Sequence, residues 1–123
     1  MDDQCAAMIR FPGGTVAHVD CAFRTVHRVG FEIVGTEAAL LVSNPFRPGT
    51  QERLVLLKGD REEVIDLAGP KPFAGELDDL AAAALDGGTP AIPLEDSLGN
   101  TRVLLACYRS AATGLPVSCA DIQ

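Results

Sequence analysis

Two histidines, four cysteines and four runs of paired carboxylates are the side chains in this sequence whose types could carry chemistry. His18 and His27 are the only candidate bases near neutral pH. His18 falls on the polar side of a predicted strand, where a histidine is ordinarily solvated. His27 lies in a short connection flanked by Arg24 and Arg28. Arg24, His27 and Arg28 could together hold an anionic or polyol ligand, with a solvated loop as the stronger alternative. Phe73 sits in a proline-rich segment. It could line a pocket, although a hydrophobic plug beneath its own loop accounts for it more simply.

The carboxylates occur as Asp2-Asp3, Glu62-Glu63, Asp78-Asp79 and Glu95-Asp96. The last two belong to the starts of predicted helices, where the helix dipole favours anions. The first two read as solvated edges. None makes an acid/base dyad or a metal cluster by spacing. Gly13-Gly14 and Gly87-Gly88 fit turns or caps, and neither matches a glycine-rich nucleotide loop. There is no G-x-S-x-G elbow. We therefore assign this chain no catalytic, cofactor-binding or metal-binding residue. Cys5, Cys21, Cys107 and Cys119 contain no C-x-x-C spacing, so neither a zinc knuckle nor a thioredoxin-type motif is expected. Four reduced, mostly buried thiols are the default.

The elements that must position these residues are strands first and helices last. Residues 31–42 are the centre of the pattern. Phe31 to Val34 and Ala39 to Val42 are short apolar runs parted by Gly35-Thr36-Glu37, and they place an antiparallel pair of strands over Arg28 to Val34 and Ala39 to Ser43. Before them, Gln4 to Phe11 and Thr15 to Arg24 flank Pro12-Gly13-Gly14 and form a hairpin. Alternation sets its register. Ile9 should face Ala17, Ala7 should face Val19, and Cys5 should face Cys21; a slip of one residue would put His18 and Asp20 on the apolar face. Such a cysteine pair is more often packed thiols than a disulfide. After residue 50, Glu52 to Lys58 and Arg61 to Leu67 make a third hairpin with at least one wet edge.

A helix is predicted from about Glu76 to the glycines at 87–88, with Leu77, Leu80, Ala81, Ala84 and Leu85 on one stripe. Pro93 opens a second helix, with Leu94, Leu98, Leu105, Tyr108 and Ala112 sharing a face and Gly114 and Pro116 ending it. Leu115 to Ser118 could add an edge strand. The fold class is α+β: an open, mostly antiparallel sheet of about six strands with two C-terminal helices packed on one face, residues 1–123 forming a single domain.

Composition bounds the function. The chain has 123 residues, 47% hydrophobic and 22% charged, and a net charge of −7. A chain of this length can bury roughly two thirds of its unfolded surface and needs no staple. Its ten cations are scattered, which argues against nucleic acid or an anionic membrane as partner. No apolar run is long enough to span a bilayer, and the acidic start at Asp2-Asp3 does not suit a signal peptide. A cytoplasmic setting is expected.

Several pieces in order carry a family resemblance. They are Asp2-Asp3-Gln4, Arg10-Phe11-Pro12-Gly13-Gly14, Asp20-Cys21-Ala22-Phe23 and Phe31 through Glu37. They continue with Pro72-Phe73 before Glu76-Leu77-Asp78-Asp79-Leu80, then Leu94-Glu95-Asp96-Ser97 and Tyr108 through Gly114. Over nearly its whole length the chain resembles the C-terminal domain of the glucose–fructose oxidoreductase / inositol dehydrogenase (Gfo/Idh/MocA) family. The resemblance implies a parent that is an NAD(P)-dependent oxidoreductase of sugars and polyols, its NAD or NADP held by an N-terminal Rossmann domain. It implies that this part supplies a wall of the small-molecule substrate pocket and, through its sheet face, the interface of a homo-oligomer. The family's Glu-Lys-Pro motif and its Asp/His helix have no counterpart in this sequence, so the chain is expected to be a fragment that is inactive alone. Where the family's loop commonly carries tyrosine, this chain has Phe73. The other expectation is a stand-alone dimerisation or interaction module without catalysis.

Overall fold

The computed structural model describes residues 3–69, 71 and 73–122; Met1, Asp2, Pro70, Pro72 and Gln123, on which parts of the acidic start and the proline-rich segment fall, lie outside the described residues. The element order is β1 (Gln4–Arg10), β2 (Val16–Ala22), β3 (Phe31–Val34), β4 (Ala39–Val42), β5 (Gln51–Lys58), β6 (Arg61–Ala68), α1 (Ala74–Asp86), α2 (Leu94–Thr113) and a short 3-10 turn, Cys119–Asp121. This is the expected α+β class, with six antiparallel strands and two helices. The strands divide between two sheets, β1-β2 and β3-β4-β5-β6. The division falls at residues 23–30, which join no ladder, so β3 begins at Phe31 instead of at Arg28 and the connection runs through Gly30. Two units result, Met1–Thr25 with Thr89–Gln123, and Val26–Gly88.

In the first unit, β1 and β2 pair in the expected register, with Ile9 opposite Ala17, Ala7 opposite Val19 and Cys5 opposite Cys21. The loop closes through Phe11 N–H donating to the Thr15 carbonyl at 2.8 Å and Gly14 N–H donating to the Phe11 carbonyl at 3.1 Å. Gly13 and Gly14 take φ of 93° and 94°, which a side chain would resist. Pro93 is the N-cap of α2, Glu95 and Asp96 occupy its first turn, and Gly114 (φ 68°) caps its end by donating to the Ser110 carbonyl. Residues 115–118 form no strand. Pro116 can donate no ladder bond, and the chain turns instead into the 3-10 segment, capped by Ser118.

In the second unit the four-stranded ladder runs Phe31↔Val42↔Leu54↔Ile65 in one row and Ile33↔Leu40↔Leu56↔Glu63 in another. These side chains share one face. The opposite face carries Val34, Ala39 and Leu57 in one row and Leu41, Val55 and Val64 in the next. The two central strands are thus apolar on both faces, as strands destined for cover on both sides are. Every residue of β4 is nonetheless only half-buried. The edge strands β3 and β6 are mostly exposed.

Few described side chains are buried. Ala106, 6% exposed, is the one buried hydrophobic among the described residues, and the chain exposes 10717 Å². The cause is that the apolar residues lie on separate elements that do not stack extensively within their own unit. In unit two α1 has no buried residue, and Leu85 on its stripe is 84% exposed. In unit one the enclosed residues of α2 are Gly99, Val103, Ala106, Cys107 and Ser110, while the expected face of Leu94, Leu98, Leu105 and Tyr108 is exposed.

Candidate functional site

Phe73 is the one non-glycine residue with positive φ among the described residues (φ 68°, ψ −11°), and it forms the N-cap of α1. A bulky side chain in the left-handed region costs roughly 1–2 kcal/mol, and such strain gathers at binding and switch positions. The sequence dictates the place. Pro72 restricts what precedes it, and Phe73 must turn the chain into the helix with a carbonyl that accepts from Leu77 N–H at 3.2 Å. Its ring stays 64% exposed, so it is not a plug beneath the loop.

Arg24, His27 and Arg28 are all exposed. Arg24 belongs to the first unit, where Nη1 donates to Asp3 Oδ2 at 3.1 Å. This pair reinforces the ladder beyond β1 and β2, where Phe23 N–H also donates to the Asp3 carbonyl at 2.8 Å. His27 and Arg28 belong to the second unit and lie in the extended stretch ahead of β3. Arg24 is thus engaged by a carboxylate in the first unit, while His27 and Arg28 belong to the second.

A more organised polar cluster lies where sequence reasoning did not look. In the second unit an open hollow of about 640 Å³ is lined by Ser43, Gln51, Glu52, Arg53, Asp66, Leu67 and Ala68. Beside it, the Glu52 carboxylate accepts from Gly49 N–H and from Asn44 Nδ2, the latter at 3.3 Å. Asn44 Nδ2 also donates to the Arg47 carbonyl at 2.7 Å. The Asn44–Gly49 loop is thus folded around one half-buried carboxylate. Arg53 Nε donates to Asp66 Oδ1 at 3.1 Å across β5 and β6, on exposed side chains. The signal available in the sequence was a single glutamate three residues after Gly49 of the Pro48-Gly49 turn. These groups satisfy one another, so the cluster shapes a loop and offers no activated nucleophile or base. Among the described residues there is no group of three histidine, cysteine or acidic side chains that could hold a metal ion. No described helix is long and apolar enough to cross a membrane. Cys5, Cys21 and Cys119 are exposed and Cys107 is half-buried, against the expectation of buried thiols.

The described chain is an antiparallel α+β domain whose central strands are apolar on both faces. Residues 1–119 match the oxidoreductase family's C-terminal alpha/beta domain, the Gfo/Idh/MocA C-terminal domain, and the chain belongs to that family. It is 31% identical over 121 residues to an uncharacterized oxidoreductase, ORF334, of Rhizobium meliloti. That alignment covers 93% of this chain and 36% of the relative, so the chain spans about a third of the relative's length.

Proposed function

We propose that this chain is the substrate-side and assembly domain of an NAD(P)-dependent oxidoreductase acting on a sugar, polyol or related small molecule in the cytoplasm. A cofactor-binding domain supplies NAD or NADP. This chain supplies one wall of the substrate pocket and a sheet face that pairs with a second copy. The observation that carries the reading is the pair of apolar faces on β4 and β5, joined to membership of the oxidoreductase family. A sheet apolar on both sides is stable under two covers. A helix layer suits one and a second copy the other. For the pocket wall, Phe73 is the best-supported residue, because an exposed ring on strained backbone is what a ligand-facing position retains. Arg24, His27 and Arg28 are weaker candidates, with Arg24 already held by Asp3.

Alone, the chain transfers no hydride. Its sequence has no glycine-rich nucleotide fingerprint and no paired acid and base to move a proton. Calorimetric titration of NAD+ and of NADP+ into the chain tests this. No saturable binding is expected, and micromolar affinity for either would overturn it.

A further inference from the structure

We propose that Cys5 and Cys21 form a reversible dithiol–disulfide pair, a modification site closed by a low-molecular-weight disulfide such as glutathione disulfide. Three observations carry it. The two residues are direct partners in the β1-β2 ladder, so their side chains leave the same face. Both are exposed, so an oxidant reaches them. The ladder also fixes their spacing. Asp3 and Phe23 are a hydrogen-bonded pair, and so are Phe11 and Thr15. With no bulge between them, alternation makes Cys5 and Cys21 a hydrogen-bonded pair as well.

Such a pair holds its Cα atoms about 5.5 Å apart, inside the range a disulfide spans. Its Cβ atoms lie about 4.5–5.5 Å apart, wider than the roughly 3.8 Å typical of a disulfide. Closure therefore draws the strands together slightly, and a bond closed against the ladder is readily reduced. That is the behaviour of a switch rather than of a permanent staple.

The chemistry balances in two exchanges. One thiolate attacks a sulfur of glutathione disulfide, forming a mixed disulfide and releasing one glutathione thiolate. The second thiolate attacks the protein sulfur of that mixed disulfide and expels the other glutathione. Two protein thiols are oxidised by two electrons, and one glutathione disulfide is reduced to two glutathiones.

The sequence makes the test direct, because tryptic cleavage at Arg10, Arg24, Arg102 and Arg109 puts each cysteine on its own peptide. The 123-residue chain is incubated with glutathione disulfide, alkylated, digested and mapped by mass spectrometry, natively and in guanidinium. The expected product links Met1–Arg10 to Phe11–Arg24, and it forms roughly tenfold or more faster in the native chain than in the denatured one, because the ladder raises the effective concentration of one thiol at the other. Dithiothreitol restores both thiols. Cys21→Ser is expected to leave Cys5 as a lasting glutathione adduct. Persistent glutathione adducts on both Cys5 and Cys21, linkage chiefly through Cys107 or Cys119, or equal rates with and without guanidinium would each overturn the proposal.

Discussion

Phe73 bears the clearest local cost in the chain, and the cost is testable in both directions. Phe73→Gly removes the left-handed penalty of roughly 1–2 kcal/mol and adds back part of it as chain entropy. We expect a net gain of up to about 1 kcal/mol in the stability of the first turn of α1, read by hydrogen exchange at Leu77, whose N–H the Phe73 carbonyl accepts. If Phe73 faces substrate, the same change in the complete oxidoreductase lowers kcat/KM while stability rises. A parallel fall in both would show that the strain is merely structural. Glu52 makes the opposite case. Its carboxylate anchors Gly49 and Asn44, so Glu52→Ala should cost about 1–3 kcal/mol, seen as a lower denaturation midpoint. Glu52→Gln keeps an acceptor oxygen and should cost less than half of that. Phe73 was legible as a loop residue from its prolines, whereas its left-handed backbone was not, because a phenylalanine carries no signal for that region as a glycine does. Glu52 was illegible for a related reason. A lone carboxylate has no partner in sequence, and Asn44 lies eight residues away across a loop.

At the scale of elements, the hairpin shows what pattern can fix. Strict alternation with a Pro-Gly-Gly loop leaves a single register that keeps Asp20 and His18 off the apolar side, and the ladder adopts it. The helices show where pattern runs out. Their ends were readable from Pro93, Gly87 and Gly114, since those residues act through their own backbone. Their enclosed faces were not, because a stripe of leucines names a face to be covered without naming its cover. On α2 the enclosed residues are the small ones around Ala106. Two outcomes follow. Gly114→Ala should cost about 1 kcal/mol, since alanine must then hold φ near 68°. The double change Leu80→Glu, Leu85→Glu on the exposed stripe of α1 should shift the unfolding midpoint of the chain alone little, within about 0.5 kcal/mol per site. It should also markedly raise the chain's solubility limit. A large loss of stability would mean that the stripe packs on its own unit.

For the molecule as a whole, the surface decides the account. Apolar side chains stand exposed in both units, among them Phe31, Ile33 and Val34 on the sheet, Leu80 and Leu85 on α1, and Leu98 and Leu105 on α2. A stable protein–protein interface buries about 1,200–2,000 Å². Uncovered apolar faces on one sheet and on both helices are the surfaces such a contact uses. Length and composition could not foresee this, because they count apolar residues without saying whether the elements bearing them meet. The central claim is that these faces are interfaces of an oxidoreductase's C-terminal domain. Sedimentation velocity over a hundredfold range of concentration, with binding of a hydrophobic dye followed in parallel, tests it most directly. The account predicts reversible self-association, with dye binding falling as the assembly grows. A strict monomer at the highest concentration that binds no dye would contradict it.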